Sequence, residues 1–260
     1  MGELGDTSTK ATAPAPAGQL WDQVWQDPHT GEPERWNYLA ELVYRALADR
    51  LPAGGRLAEA GAGSGRLAAA LVRGGGQAVY LDFSRASLRF LAARGDGLTV
   101  GADVRALPLR PGVLDGCFSS GVLEHFPEPE QRAILAEMAR VVRPGGSVVL
   151  ITPYRTQLFL LGQKLLRALN RWPFGYEEPL RTFRPLWPNH IISGAETPFG
   201  FFMLYLGLLK TLRLGFLYRP LDIVCLWLWQ SPFGPSLGAL DRALARLCGG
   251  YLLIGSARMR

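Results

Sequence analysis

Three glycines at alternate positions follow an acidic residue in the stretch RLAEAGAGSGRL. Glu59 precedes Gly61, Gly63 and Gly65. Glycine leaves backbone open to close approach by a ligand, and a carboxylate beside it accepts hydrogen bonds. The spacing therefore predicts a ligand-binding loop, with a nucleotide as the first candidate. The dinucleotide fingerprint GxGxxG is incomplete, because the sixth position counted from Gly61 is Arg66.

A second acid, Asp82, ends the β-rich run AVYLD, 17 residues after Gly65. At the end of a strand, a carboxylate can accept hydrogen bonds from both hydroxyls of a ribose. This arrangement suits NAD and S-adenosylmethionine equally. The glycines and Asp82 alone thus predict a nucleoside cofactor without choosing between the two.

Alternating strands and helices must position these residues. A first helix is predicted over 34–50, and strands over RLAEA, AVYLD, LTVGAD, VLDGCFSS and SVVLIT. Helices are predicted between them over 66–73, 88–94 and 130–142, and Ser84 is a candidate cap for the second. This alternation predicts an α/β fold with a doubly wound, Rossmann-like, mostly parallel sheet and helices on both faces.

The regular alternation ends at Tyr154, which suggests four segments. They are a disordered leader (1–18), a cofactor-binding core (19–154), a variable apolar helical region inserted before the last strand (155–249), and a final strand with a tail (250–260). Within the third segment, TQLFLLGQKLLRAL and 237–247 are predicted helices and HIISGAE a strand. Its longest uninterrupted apolar run is shorter than the roughly 20 residues that cross a bilayer.

An ordered set of motifs resembles one family. The set is EAGAGSG, YLDFS, ADVRALPL, DGCFSSGVLEHF and RPGG. Together they resemble the class I S-adenosylmethionine-dependent methyltransferases, in the group that includes the ubiquinone and menaquinone biosynthesis enzymes. The resemblance covers roughly 36–154 and implies a seven-stranded sheet with S-adenosylmethionine as cofactor.

The resemblance also implies a set of cofactor contacts. The methionine end would lie along Glu59, Gly61, Ala62, Gly63 and Gly65; the ribose at Asp82 beside Phe83; the adenine at Asp103 and Val104; and the sulfonium under Ser119, Ser120 and Gly121. The sequence departs from the family at Ala60-Gly61-Ala62, where a larger residue and then a cysteine are frequent. Neither change removes a polar group that binding needs.

Methyl transfer from a sulfonium is an in-line displacement that gains from alignment and from exclusion of water. If the acceptor is a hydroxyl or an acidic carbon, a general base helps, and His125 is the candidate. The alternative is that His125 positions its loop or caps the next helix. Glu124 and Tyr154 are candidate acceptor contacts.

The apolar region between 155 and 230 is the part of the sequence that bears on the acceptor. Its tryptophans and basic residues suggest a small lipophilic acceptor, methylated at oxygen or carbon, or contact with a membrane surface. Trp227 and Trp229 are the expected interfacial aromatics, and Lys210, Arg213 and Arg219 the accompanying cations. The alternative is that the region only packs over the sheet or forms a dimer interface. The expected location is cytoplasmic, peripheral to the inner face of a membrane.

Net charge and cysteine content bear on which classes of function remain possible. The net charge of +6 equals the excess within 155–219, where basic residues are interleaved with apolar ones, which does not favour nucleic-acid binding. The three cysteines are far apart and predict neither a disulfide framework nor a metal site. An NAD-dependent oxidoreductase, an RNA methyltransferase and a catalytically inactive cofactor-binding protein remain as alternatives, and the oligomeric state is open.

Overall fold

A computed structural model of the chain describes residues 21–23, 36–170, 172, 175–187, 191–211 and 214–260. The side chains of 191–194, 208, 210 and 211 are outside this description. The leader predicted over 1–18, the first residues of the helix predicted from Glu34, and the cationic groups of Lys210 and Arg213 therefore lie outside the described part of the chain.

One seven-stranded sheet organises the protein. Its strands are β1 (Arg56–Ala60), β2 (Gln77–Asp82), β3 (Leu98–Gly101), β4 (Leu114–Ser120), β5 (Val142–Pro153), β6 (Ile191–Phe199) and β7 (Leu252–Met259). Their order is β3-β2-β1-β4-β5-β7-β6, with β1 to β5 parallel and β7 antiparallel to both of its neighbours. The predicted doubly wound, mostly parallel α/β fold is confirmed.

The helices follow the predicted alternation. They are α1 (Tyr38–Ala48), α2 (Arg66–Val72), α3 (Arg85–Arg94), α4 (Glu128–Val141), α5 (Gln157–Ala168), α6 (Phe201–Thr211), α7 (Gly215–Gln230) and α8 (Gly234–Cys248). The predicted cap of α3 is confirmed, because Ser84 Oγ accepts a hydrogen bond from the Ser87 amide at 3.3 Å. The 21–23 segment is also helical.

The region predicted over 155–249 is more than a helical insertion. Its strand β6 pairs with β7 over the length of both strands and forms one edge of the same sheet. Helices α6, α7 and α8 pack against one another, and α7 also packs on α1. Met203, Leu206 and Trp229 thereby join the apolar core on that face of the sheet. Among the described residues, no helix combines the length and apolar character needed to cross a bilayer.

The apolar region therefore divides into a packed side and an exposed side. Trp229 is 4% exposed, and its ring lies edge-on to Tyr38 with the ring centres 5.1 Å apart. The prediction that Trp229 is an interfacial aromatic is thus wrong, because the side chain is part of the core. Trp227, by contrast, is 68% exposed.

Candidate functional site

A cavity of about 190 Å³ lies at the carboxyl ends of β1, β2 and β4. This edge is where ligands bind in open parallel sheets. The chain brings ten of the predicted site residues to its wall: Glu59, Gly61, Ala62, Gly63, Asp82, Phe83, Val104, Ser120, Gly121 and His125. Residues far apart in sequence therefore converge on one site.

The remaining predicted residues lie outside this wall. Gly65 precedes α2 as its N-cap with a φ of +64°, and a Cβ there would stand 2.5 Å from Leu91 Cδ2. Its position is explained by packing between the loop and α3. Asp103 is half exposed and forms an ion pair with Arg105 at 2.6 Å, which holds the pKa of its carboxyl below the usual range. The neighbouring residue Val104 does line the cavity.

Ser119 and Tyr154 do not line the cavity either. Ser119 is buried, and its hydroxyl has no hydrogen-bond partner among the described residues. Tyr154 follows β5, where its amide donates to the Tyr251 carbonyl at 2.9 Å and its backbone bridges to Leu180. The structure thus places Tyr154 in the connection between β5, β7 and the 175–187 segment.

The turn after β1 is held by backbone hydrogen bonds. The amides of Gly61 and Ala62 both donate to the Leu81 carbonyl, at 2.8 and 3.0 Å. Gly61 has a φ of +74°, in the left-handed region, and a Cβ there would approach Val122 more closely than 3.0 Å. Only glycine combines this conformation with the close approach of the 119–126 loop.

Two buried acids flank the turn. Glu59 accepts from the Ala68 amide at 3.1 Å, near the start of α2, and burial raises the pKa of its carboxyl to about 8. Asp82 accepts from the amides of Gly63 at 2.7 Å and Ser84 at 2.9 Å. Burial raises the pKa of Asp82, and these hydrogen bonds oppose that rise. Two carboxyls therefore face the cavity from adjacent strands.

The imidazole of His125 forms a hydrogen bond with a backbone carbonyl. Its Nδ1 lies 2.8 Å from the Tyr176 carbonyl oxygen. Because a carbonyl only accepts, Nδ1 carries the hydrogen and Nε2 of the neutral ring is the acceptor. Burial lowers the pKa of His125, which keeps the imidazole neutral near pH 7.

A segment that sequence reasoning missed forms part of the wall. Trp21 lines the cavity with its ring edge-on to His125, the ring centres being 4.8 Å apart. Asp22 accepts from the Ser84 hydroxyl at 2.7 Å and from the Ala86 amide at 3.2 Å. These bonds connect the helical 21–23 segment to the start of α3. No local pattern in the sequence signals a contact across more than 60 residues.

Two further acids, Glu124 in the 121–126 loop and Glu177, form a second buried pair. Glu124 is 2% exposed, and its Oε2 has no hydrogen-bond partner among the described residues. Glu177 is also buried, and burial raises its pKa to about 7. Burial and the nearby Glu177 together raise the pKa of Glu124 well above its usual value. The Glu178 amide ties the two segments by donating to the Glu124 carbonyl at 2.8 Å.

Comparison with known proteins relates part of this chain to a family. Residues 58–150 match the family described as "Methyltransferase domain". An uncharacterized methyltransferase from Mycobacterium sp. (strain JLS) is 36% identical over 109 residues, which is 42% of each chain. The match thus spans about two fifths of the length of such relatives.

Solved structures share the fold at low identity. A Thermotoga maritima S-adenosylmethionine-dependent methyltransferase superposes with a TM-score of 0.59 at 16% identity, covering 93% of this chain and 99% of the other. A geranyl diphosphate methyltransferase in complex with geranyl diphosphate and sinefungin superposes with a TM-score of 0.51 at 15% identity, covering 83% of this chain and 77% of the other. Residues 58–150 thus match a methyltransferase domain, in agreement with the predicted class I family, and S-adenosylmethionine-dependent methyltransferases of known structure share the fold.

Proposed function

We propose that the protein transfers the methyl group of S-adenosylmethionine to a small lipophilic acceptor, at an oxygen or a carbon atom. The observation that carries the proposal is the convergence of Glu59, Asp82, Gly61 and His125 on one cavity at the carboxyl edge of the sheet. The cofactor supplies an electrophilic methyl group on a sulfonium, and the protein supplies alignment and a dry site.

The acids of the wall fit the cofactor by their remaining hydrogen-bonding capacity. Each oxygen of Asp82 accepts one backbone amide, and a carboxylate offers about four acceptor sites. Capacity therefore remains for two ribose hydroxyls. Glu59 stands one strand away and suits the amino group of the methionine end, since a nearby cation lowers the pKa of a buried carboxyl.

His125 is the candidate base for the acceptor. Its Nδ1 hydrogen is directed at the Tyr176 carbonyl, so a proton from the acceptor would go to Nε2. Its low pKa keeps it in the proton-accepting form near pH 7. Trp21, Val122 and Phe126 surround the same cavity and would exclude water from the reacting atoms.

An exposed apolar face of α7 supports the proposal of a lipophilic acceptor. We define the outer α7 face as the exposed apolar side chains of that helix: Phe216, Leu217, Leu221, Ile223, Val224 and Trp227. Arg219 is exposed on the same helix. An apolar helix face with an aromatic residue and a neighbouring cation is typical of peripheral membrane contact. None of the described residues within 155–249 lines the cofactor cavity, so this region would act in delivery of the acceptor.

Liposome sedimentation tests the membrane contact. The protein should sediment with anionic vesicles and partly with neutral ones, and added salt should weaken only the electrostatic share. Trp227→Ala should reduce sedimentation, whereas Leu98→Ala should not, because Leu98 is a comparably exposed apolar residue (58% against 68%) on the edge strand β3, away from α7. Equal sedimentation of both variants and the parent would contradict a role for the outer α7 face.

Methylation of a cell lipid extract tests the reaction itself. With S-adenosylmethionine labelled in its methyl group, the label should move into an organic-soluble product in the presence of the protein. Label found only in water-soluble small molecules would refute the lipophilic acceptor, and label in RNA would favour the RNA methyltransferase alternative. Cofactor binding without any transfer would favour the catalytically inactive alternative.

A further inference from the structure

A segment outside the named helices and strands, residues 175–180, lies between helix α5 and the loop that carries His125. We call this segment the strap. On the loop side, its Tyr176 carbonyl bonds to the His125 imidazole at 2.8 Å. Its Glu178 amide donates to the Glu124 carbonyl, also at 2.8 Å. Two residues of the strap therefore face the loop.

The same edge of the strap continues to the end of β5. The Leu180 amide donates to the Pro153 carbonyl at 3.2 Å, and the Arg155 amide donates to the Leu180 carbonyl at 3.0 Å. Tyr176, Glu178 and Leu180 are alternate residues, and in extended backbone alternate residues direct their amide and carbonyl groups to the same side. The strap is therefore extended, with one edge along the loop and the end of β5.

The opposite edge of the strap faces α5. Gln163 Nε2 donates to the Glu177 carbonyl at 3.1 Å, and Arg167 Nη2 donates to the Gly175 carbonyl at 3.3 Å. Gly175 and Glu177 alternate with the residues that face the loop, as extended backbone requires. Two side chains of α5 thus bind the strap on the side away from the loop, and the strap in turn binds His125.

Gln163 differs from the other residues of its helix in its burial. It is 8% exposed and is the one buried residue of α5, whose residues are all described. Leu161 and Leu165 of the same helix are 63% and 45% exposed. Burial of a side-chain amide costs free energy unless the amide is hydrogen-bonded, so packing alone would favour an apolar residue here. The hydrogen bond to the strap accounts for a glutamine at this position.

We infer that Gln163 is a positioning residue, which acts through the strap to hold the His125 imidazole in the tautomer that can accept a proton at Nε2. The Tyr176 carbonyl selects this tautomer, because a carbonyl only accepts and Nδ1 must then carry the hydrogen. If the strap moved away, the ring would also adopt the other tautomer, in which Nε2 carries the hydrogen and cannot take a proton. The inference rests on the proposed role of His125 as base, but its first measurement is independent of the reaction.

The test is nitrogen NMR of the histidine rings in the full chain, without cofactor or acceptor. The chain has three histidines, and the signal that is lost in His125→Gln assigns the ring of interest. Gln163→Met removes the donor but keeps a side chain of similar length and helix propensity. The ratio of the Nδ1–H to the Nε2–H tautomer of His125 should fall about 2- to 10-fold in this variant, the equivalent of one net hydrogen bond.

Gln157→Met is the matched control, because it makes the same change at an exposed position of the same helix. Its tautomer ratio should equal that of the parent. Arg167→Gln removes the donor to the Gly175 carbonyl and should shift the ratio in the same direction as Gln163→Met. Arg167 is exposed, so its variant tests the strap even if Gln163→Met fails to fold.

The rate of methyl transfer to a cell lipid extract separates this inference from the proposed function. If both hold, the rate should fall in Gln163→Met while the affinity for S-adenosylhomocysteine stays that of the parent. A shifted tautomer ratio with an unchanged rate would support the positioning role and contradict the role of His125 as base. A tautomer ratio equal to that of the parent in both Gln163→Met and Arg167→Gln would overturn the inference, whatever the stability of the two variants.

Discussion

Replacement of Gly61 by alanine probes the close approach on which the cavity depends. Gly61 and Gly54 have nearly the same backbone, with φ of +74° and +71°. Alanine in this left-handed region costs about 1–2 kcal/mol at either position. A Cβ on Gly61 would also overlap Val122, whereas a Cβ on Gly54 has no atom within 4 Å. Overpacking of this kind costs about 1–3 kcal/mol more.

The expected loss of unfolding free energy is thus about 2–5 kcal/mol for Gly61→Ala and about 1–2 kcal/mol for Gly54→Ala. Urea denaturation measures both values. In a double-mutant cycle, adding Val122→Ala to Gly61→Ala should restore the unfolding free energy that is lost through overlap with Val122. Adding it to Gly54→Ala should restore nothing. Equal losses for the two glycine variants, with no coupling to Val122, would refute the argument that the turn is pressed against the 119–126 loop.

Three further substitutions test the site. Asp82→Ala should weaken S-adenosylhomocysteine binding by about 1.5–3 kcal/mol in calorimetry, and parent-like affinity would remove Asp82 from the site. His125→Ala should lower kcat about 100-fold or more with unchanged cofactor affinity if it is the base; a change mainly in KM would assign it to positioning. Because the folded pKa of Glu177 is raised to about 7, its stabilising contribution is full below the unfolded pKa and is lost as pH rises through 7. The parent protein should therefore lose roughly 3 kcal/mol of unfolding free energy more than Glu177→Gln between pH 4.5 and pH 8. If the parent and the variant show the same dependence of unfolding free energy on pH, the burial of this carboxyl is contradicted.

The periodic part of the fold could be predicted from the sequence because its signals are local. The runs RLAEA, AVYLD and VLDGCFSS each ended where a strand ends, and Ser84 caps α3 as expected. Most of the residues that line the cavity at the carboxyl edge belong to the same motifs. Gly65 and Asp103 are exceptions, since they lie beside wall residues but do not line the cavity.

Long-range contacts could not be predicted in this way. The contact of Trp21 with His125 and the bond of Asp22 to Ser84 join segments that no pattern connects. Whether each α7 tryptophan is buried depends on which side of the helix packs against α1. Trp229 is part of the core, and Trp227 is exposed. An apolar stretch without clear periodicity leaves that orientation undetermined until the neighbouring helices are placed.

Calorimetric titration with S-adenosylhomocysteine and, separately, with NAD tests the central claim most directly. Both ligands offer a ribose to Asp82, but only the first offers an amino acid end to Glu59 and the glycine turn. The protein should bind S-adenosylhomocysteine with one site per chain and show no comparable affinity for NAD. Tight binding of NAD without a response to S-adenosylhomocysteine would contradict the proposed methyl transfer.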